Sequence, residues 1–263
     1  MNPYEFRRGA APLLVSMPHC GTFIPPALAA DMTPAALEVP DTDWHLPQLY
    51  DFVAGLGAST LAATHSRYVI DLNRAPDGAV LYPGASNTEL CPTTRFDFAP
   101  VYRDGRAPDG ATIAGRVDTY WRPYHAALEA EITRIRAQHG YALLFDAHSI
   151  ISVCARFFEG RLNDLNLGTG GGTSCDPALG ERLFAQAQRD SAFTSVLNGR
   201  FKGGYITRHY GRPDAGIHGV QLELATCTYM QERLPFPFDE GRANAVRPVL
   251  RGIVEAMLAW KPH

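Results

Sequence analysis

The residues of this chain that could do chemistry stand where short apolar runs end. The apolar run 143–145 is followed by Asp146, Ala147 and His148. Such a run with an abrupt polar end is typical of a buried strand, and open α/β sheets bind ligands beyond the carboxyl ends of their strands. Because strand side chains alternate with a period of two, Asp146 and His148 point to the same side. The alternative is that Asp146 caps a turn and His148 is a satisfied interior histidine.

Other predicted element ends carry the same kinds of side chain. His19 follows an apolar run, Asp41 and Asp43 precede a helical pattern, and Glu223 lies between leucines in a predicted strand. Carboxylates are rarely buried unless they are paired or bound to a metal. Two imidazoles and one carboxylate with an open fourth position form the ligand set of a catalytic zinc ion. A further carboxylate near the metal can act as a general base.

Three arginines add positive charge near these positions, namely Arg67, Arg74 and Arg208. A guanidinium binds a carboxylate bidentately, so these residues suit a substrate that carries carboxylate groups. Structural ion pairs are the alternative interpretation for Arg67 and Arg74.

Local motifs for other chemistries are absent or weak in the sequence. There is no HExxH, so any metal ligands must come from distant parts of the chain. There is no GxSxG elbow, whereas a thiol mechanism with Cys154 near His148 stays open. The glycine run 168–172 lacks the ending of a phosphate loop, and we expect a flexible loop there.

The apolar patterns predict an α/β fold with a parallel or mixed sheet. Strands are predicted at 11–17, 59–63, 67–72, the segment ending at His148, 193–197 and 219–225. Helices are predicted from Thr33-Pro34, after Asp43, at 112–120, from Pro123 to Gly140, from Asp176-Pro177, and at 240–260 with a kink or break at Pro248. Residues 203–211 are expected to form a loop or edge segment. A long irregular segment, 75–108, must still bury Leu81, Tyr82, Phe96, Phe98, Val101 and Tyr102.

Composition limits the classes of function. The chain has 263 residues, of which 46% are hydrophobic and 19% charged, enough for one large α/β domain or two small ones. The net charge of -3 gives no reason to expect nucleic acid or an anionic membrane as a partner. Five scattered cysteines without a CxxC fit a reducing cytoplasm. We expect no signal peptide and no membrane span.

Several short stretches together resemble the N-formylglutamate amidohydrolase (N-formylglutamate deformylase) family of histidine degradation. They are SMPHCGT at 16–22, DTDW at 41–44, SRYVIDLNR at 66–74, LCP at 90–92, FDAHS at 145–149 and GGYITR at 203–208. The likeness runs from about residue 11 to 230, and this family is distantly similar to the zinc carboxypeptidases and aspartoacylases. The resemblance implies a three-layer α/β/α sandwich with a central mixed, mostly parallel sheet. It also implies a single catalytic domain over residues 1–263.

The resemblance implies hydrolysis of N-formyl-L-glutamate to L-glutamate and formate with a divalent metal, expected to be zinc. His19 and His148 match the histidines of the family. Asp43 is preferred to Asp41 as the third ligand because of its distance before the following leucine. The carboxylate position of the carboxypeptidases, three residues after the first histidine, is here Thr22, which is a departure from their pattern.

The remaining roles also follow from the resemblance. Glu223 takes the place of the general base on a late strand, and Arg67 or the metal stabilises the oxyanion. Asn73 and Arg74 match a pair that binds a terminal carboxylate. Since N-formylglutamate has two carboxylates, Arg208 is assigned to the second.

Three alternatives stay open at this point. The scaffold could act on another acyl group, such as an N-succinyl or N-acetyl amino acid. It could bind a metal or a ligand without catalysis, or a thiol could act without a metal. The sequence predicts no oligomeric state.

Overall fold

The computed structural model describes residues 1–80, 84 and 86–262 of the chain. They form a seven-stranded sheet with helices on both faces. The strands are β1 Tyr4–Arg7, β2 Leu13–Met17, β3 Ser59–Ala63, β4 Ala142–Ile150, β5 Leu165–Gly168, β6 Ser195–Leu197 and β7 Ile217–Ala225. The α-helices are α1 Pro26–Ala29, α2 Pro34–Leu37, α3 Leu46–Leu49, α4 Gly110–Arg116, α5 Arg122–His139, α6 Pro177–Ala187, α7 Tyr205–Tyr210 and α8 Glu240–Leu258.

The sheet has the strand order β1-β3-β2-β4-β7-β5-β6. Strand β1 pairs antiparallel with β3, and β5 pairs antiparallel with β7. The other neighbours, β3 with β2, β2 with β4, β4 with β7, and β5 with β6, are parallel. The prediction of an α/β fold with a mixed, mostly parallel sheet is confirmed.

Alternate positions of the central strands pack against different helices. In β4, Leu143 and Phe145 lie in a buried cluster with α3, α6 and α8. Ala142 and Leu144 lie in a second cluster with α5 and α7. Both faces of the sheet are therefore buried, which explains why β2 and the first half of β4 are almost continuous apolar runs.

Helix ends follow the predicted capping chemistry. The side chain of Thr33 accepts a hydrogen bond from the N–H of Ala36 at the start of α2, and Asp176 caps α6 in the same way. Helix α5 ends at Gly140, whose φ of 82° favours glycine. Helix α8 continues across Pro248, so the break considered there does not occur.

Two predicted segments have a different structure. Residues 67–72 form turns and not a strand, since the N–H of Asp71 bonds to Leu90 O across a loop rather than to a neighbouring strand. Residues 203–211, expected to be a loop or edge, contain helix α7. Strands β1 and β5, of four residues each, were not predicted.

The segment 75–108 is irregular, as predicted, over its described residues. Phe96, Val101 and Tyr102 are buried, as predicted. Phe98 is 61% exposed, so the prediction that it is buried is wrong. The predictions for Leu81 and Tyr82 lie outside the described residues. Within the part of the chain that is described, no helix has the length and apolar character to cross a membrane.

Candidate active site

Strands β4 and β7 present polar side chains on one face of the sheet. The apolar residues of β7 face the first cluster, so Gln221 and Glu223 alternate onto the opposite face, as Asp146 and His148 do in β4. The parallel register pairs Asp146 with Gln221 and His148 with Glu223. Four polar side chains therefore stand together at the carboxyl ends of two neighbouring strands, where α/β proteins place their ligands.

Three residues from distant parts of the chain meet at this face. The ligand atoms of His19, Asp43 and His148 lie within 4.8 Å of one another, and all three residues are buried. Asp43 Oδ2 is 3.0 Å from His148 Nδ1 and 3.8 Å from His19 Nδ1. Asp41, the other candidate, instead accepts a hydrogen bond from the N–H of Phe96. The geometry thus groups Asp43, and not Asp41, with the two histidines.

Backbone hydrogen bonds hold Asp43 in this place. Its N–H donates to His19 O at 3.0 Å. Its carboxylate accepts a hydrogen bond from the N–H of Ser149 at 3.1 Å. The loop after β2, the segment before α3 and the end of β4 are therefore tied together at one residue.

The far nitrogen of each imidazole contacts a further carboxylate. His19 Nε2 is 2.6 Å from Asp71 Oδ1, and His148 Nε2 is 3.2 Å from Asp146 Oδ2. Both aspartates are fully buried. Histidine ligands of metals typically donate their other ring N–H to a carboxylate, which fixes the tautomer and orients the ring. The two Nδ1 atoms are left facing Asp43.

The buried charges shift the proton affinities of the two histidines in opposite directions. Burial lowers the pKa of His19, and the nearby Arg67 adds to this against the opposing effect of Asp71. Burial also acts to lower the pKa of His148, but the surrounding carboxylates, Asp146 first, raise it well above its usual range. The site favours a positive charge beside His148, whether a proton or a metal ion.

The donor set fits a divalent metal ion. Two imidazole nitrogens and one carboxylate oxygen are ligands of catalytic zinc sites, which keep a further position for water or substrate. A carboxylate behind each histidine is a common feature of such sites. His19, Asp43 and His148 therefore form a candidate metal centre.

Replacing Asp146 by Asn is expected to lower zinc affinity by about 10- to 100-fold, because a neutral amide then faces His148 Nε2. Asp71→Asn should act in the same way through His19. Equilibrium dialysis against zinc measures the affinity, and Asp51→Asn, which changes an exposed carboxylate, is the matched control. Equal affinities of the Asp146 and Asp51 variants would contradict the orienting role.

Glu223 stands directly opposite His148 and lines a cleft. Gln221 Nε2 donates to Glu223 Oε2 at 3.3 Å, and Gln221 Oε1 accepts from the N–H of Gly204 at 2.7 Å. Burial raises the pKa of Glu223 to about 8, although the charge of His148 acts against this. A buried carboxylate with a raised pKa is a better proton acceptor than one in water.

The cleft in front of Glu223 contains about 540 Å³ of space free of protein atoms, part of it open to solvent. Its described lining combines the two histidines of the candidate metal centre with three arginines, Arg67, Arg74 and Arg200. Apolar and polar loop residues complete it, among them Ser86, Asn87, Phe96, Phe157 and Phe201. A concave site with a few convergent charged groups suits a small anionic molecule.

Arg67 is buried beside the candidate metal centre. Its Nη2 donates to Asp71 Oδ2 at 2.7 Å, and its guanidinium carbon lies 5.0 Å from the centre of the Phe96 ring. Its buried Nε has no hydrogen-bond partner among the described residues. Buried donors are rarely left unpaired, so this N–H is available to a ligand. The turn at 67–72, wrongly predicted to be a strand, is what brings Arg67 and Asp71 together.

Asn73 links two elements of the site. Its Oδ1 accepts from the N–H of Ile206, at the start of α7, at 2.8 Å. Its Nδ2 lies 2.9 Å from His148 Nε2. The backbone at Gly204 passes so close that a Cβ there would lie 2.2 Å from Asn73 Nδ2. Residue 204 must therefore be glycine if α7 is to dock here.

The three predicted arginines have different locations. Arg67 and Arg74 line the cleft, and Arg74 donates to Thr88 O from Nε at 3.1 Å and to Thr88 Oγ1 from Nη2 at 2.9 Å. Arg208 is exposed in the last turn of α7 and is not among the described residues that line the cleft. Its assignment to a substrate carboxylate stays a prediction that the geometry does not favour.

Sequence reasoning missed three residues of the site, Asp71, Gln221 and Arg200, in these roles. Gln221 could have been found, since it precedes Glu223 by two positions in the same strand. Asp71 follows Arg67 at the spacing of an ion pair in a helical turn, but the apolar pattern of the segment predicts a strand. Arg200 follows β6 in a short loop without any motif.

The cysteines do not form part of this site. All five are described and free. Cys154 is buried with Ile150 and Leu162, and burial raises its pKa. Burial also raises the pKa of Cys20, next to His19, to about 12. No cysteine is among the described residues that line the cleft, so the geometry does not support a thiol nucleophile there.

The fold and the site define an α/β protein with a candidate metal centre and a buried carboxylate at the carboxyl ends of its central strands. Comparison with known families then identifies it more closely. The family model of N-formylglutamate amidohydrolase matches residues 11–230, and the chain belongs to this family. It is therefore a hydrolase, and the resemblance seen in the sequence is confirmed.

Individual relatives agree with this membership. The N-formylglutamate deformylase of Pseudomonas aeruginosa is 52% identical over 256 residues, which cover 97% of this chain and 96% of that protein. The protein of the same name from Pseudomonas putida is 51% identical over the same shares of both chains. The crystal structure of N-formylglutamate amidohydrolase from Ralstonia eutropha JMP134 is 27% identical, with a TM-score of 0.81 over 98% of this chain and 96% of that one.

Proposed function

We propose that this chain hydrolyses the formyl amide of N-formyl-L-glutamate to L-glutamate and formate. The reaction uses a divalent metal, with zinc as the first candidate, held by His19, Asp43 and His148. The observation that carries the proposal is the pairing of His148 with Glu223 across two parallel strands, inside one cleft lined by arginines. This arrangement combines candidate metal ligands, a basic carboxylate and positive charge for an anionic substrate. The names of the relatives supply the substrate.

Glu223 is the proton carrier of the proposed reaction. Its carboxylate removes a proton from the attacking water, and the water oxygen forms a bond to the formyl carbon. Glu223 then delivers this proton to the amide nitrogen, the C–N bond breaks, and L-glutamate and formate leave. The hydrogen bond from Gln221 orients the Glu223 carboxylate. A divalent ion in the centre would polarise the formyl carbonyl and increase the acidity of the water.

The arginines bind the charges of substrate and transition state. Arg67 stands next to the candidate metal centre with an unpaired Nε among the described residues, and it donates to the oxyanion that forms on the formyl group. Arg74, held by Thr88 and next in sequence to Asn73, binds one carboxylate of the substrate. The plane of a guanidinium matches that of a carboxylate, so this contact also orients the substrate.

We also propose that the chain serves histidine degradation in the cytoplasm, acting on a free small molecule. The role in histidine degradation follows from the family resemblance. The cytoplasmic location is supported by five free cysteines, which fit a reducing compartment.

The deciding experiment measures the release of L-glutamate, the product common to all substrates of the series, by the purified, zinc-loaded chain. N-formyl-L-glutamate should give a kcat/KM about ten- to hundredfold above that for hydrolysis of N-acetyl-L-glutamate, since one extra methyl group changes discrimination by about this factor. N-succinyl-L-glutamate completes the series. Faster hydrolysis of an acetyl or succinyl substrate would assign the chain to a different acyl group. Zinc binding without hydrolysis of any of them would indicate a binding protein instead.

A further inference from the structure

We propose that Arg200, and not Arg208, binds the side-chain carboxylate of the substrate and so determines the preference for an acidic side chain. The inference deepens the proposed function and depends on it. It rests on the place of Arg200 in the cleft, on the way its guanidinium is held, and on the position of Arg74 beside Asn73, which contacts His148.

Arg200 lies on the wall of the cleft that contains Glu223 and the two histidines. It is half-buried, whereas Arg208 is exposed and outside the described lining. A charge in a partly desolvated cleft interacts with an anion more strongly than a charge in bulk water does. Of the two arginines, Arg200 is therefore the better placed to bind a substrate carboxylate.

Contacts with the surrounding loops fix the guanidinium of Arg200. Its Nε donates to Phe157 O at 2.6 Å, and its Nη2 donates to Ser86 O at 3.3 Å. Its guanidinium carbon lies 5.4 Å from the centre of the Phe201 ring and 5.8 Å from that of Phe157. These contacts orient the guanidinium within the cleft. A preorganised cation loses little entropy when it binds an anion.

Arg74 and Arg200 come from different parts of the chain, and both contact the segment 86–88. Arg74 donates to Thr88 O and Thr88 Oγ1, whereas Arg200 donates to Ser86 O. Arg74 is also close to the centre, since the neighbouring Asn73 contacts His148. In N-formylglutamate the α-carboxylate is nearer to the scissile amide than the side-chain carboxylate is. We therefore assign Arg74 to the α-carboxylate and Arg200 to the more distant group.

Three substrates separate the two carboxylates. N-formyl-L-glutamate has both, N-formyl-L-glutamine lacks the side-chain charge, and N-formyl-4-aminobutyrate lacks the α-carboxylate. Arg200→Gln should lower kcat/KM for N-formyl-L-glutamate and N-formyl-4-aminobutyrate by about 30- to 100-fold. This is the factor expected when one hydrogen bond between charged groups is lost. Its kcat/KM for N-formyl-L-glutamine should stay within about twofold of the wild-type value, as expected when no charged partner is lost. Arg182→Gln, which changes an exposed arginine of α6, is the matched control.

The outcomes distinguish this inference from the proposed function. If the wild-type chain releases no formate from N-formyl-L-glutamate, the proposed function fails. If the wild-type chain is active but Arg200→Gln loses activity equally on all three substrates, the role of Arg200 is structural and the inference is wrong. A selective loss in Arg208→Gln, or a loss in Arg200→Gln that follows the α-carboxylate, also overturns it. Should Arg200→Gln melt below the assay temperature, Arg200→Lys decides, with a smaller loss expected on the same two substrates.

Discussion

Replacing Glu223 by Gln will lower kcat for formate release by about a hundred- to ten-thousandfold, because the amide cannot accept the proton of the attacking water. Gln has almost the shape of Glu, and Glu223 is not among the three residues of the candidate metal centre. Zinc content should therefore stay at the wild-type level, and KM should change little. Steady-state formate assays with zinc analysis on the same samples measure both quantities.

The control for this variant is Glu129→Gln, which removes a carboxylate on the exposed side of α5. It should retain the wild-type kcat. Substantial activity in Glu223→Gln with zinc bound would exclude Glu223 as the base. A loss of zinc in that variant would instead place Glu223 among the ligands.

Replacing His148 by Ala should abolish stoichiometric zinc binding and reduce kcat/KM by about a thousandfold or more. The reason is that Lewis-acid assistance contributes several kcal/mol to such reactions. The change also leaves the carboxylates of Asp43 and Asp146 without the imidazole between them. Metal analysis and formate assays test the expectation, and a thermal melt shows whether the variant is folded.

His209→Ala is the matched control, since His209 is exposed on α7 and lies outside the candidate metal centre. It should bind zinc and hydrolyse the substrate like the wild-type chain. Treating the wild-type chain with a chelator should reproduce the loss seen in His148→Ala, and added zinc should restore activity. Full activity after complete metal removal would show that the centre is not needed for the reaction.

The strands that carry the site could be predicted because the pattern of apolar and polar residues within each strand indicates it. An apolar run that ends in Asp146 and His148 defines both the strand and its functional end, and Glu223 is conspicuous between two leucines. A period of two then places these side chains on one face without any knowledge of the fold. A zinc site of two imidazoles and one carboxylate could be proposed from the same residues, whereas the preference for Asp43 as the third ligand follows from the family resemblance.

The segments around the site could not be predicted, because their structure depends on distant contacts. Val69, Ile70 and Leu72 are buried, as strand residues would be, but the N–H of Asp71 pairs with a loop at Leu90. Composition does not distinguish a buried turn from a buried strand. Helix α7 was missed for a similar reason, since its start is fixed by the contact of Gly204 with Asn73.

The choice between neighbouring residues of one type also needs three dimensions. Asp41 and Asp43 differ by two positions, yet one bonds to Phe96 and the other lies between the two histidines. Arg200 and Arg208 are eight positions apart, and one lines the cleft while the other is exposed. Nothing in the local sequence separates the members of these pairs.

The close approach of Gly204 to Asn73 has a consequence for engineering the substrate range of this enzyme. Any larger residue at 204 must push against the amide that contacts His148, so random mutagenesis there will mostly yield inactive clones. Ser86, Asn87 and Phe201 also line the cleft but are outside the candidate metal centre. A library that keeps positions 73 and 204 constant and varies these three is the better starting point for new acylated amino acids.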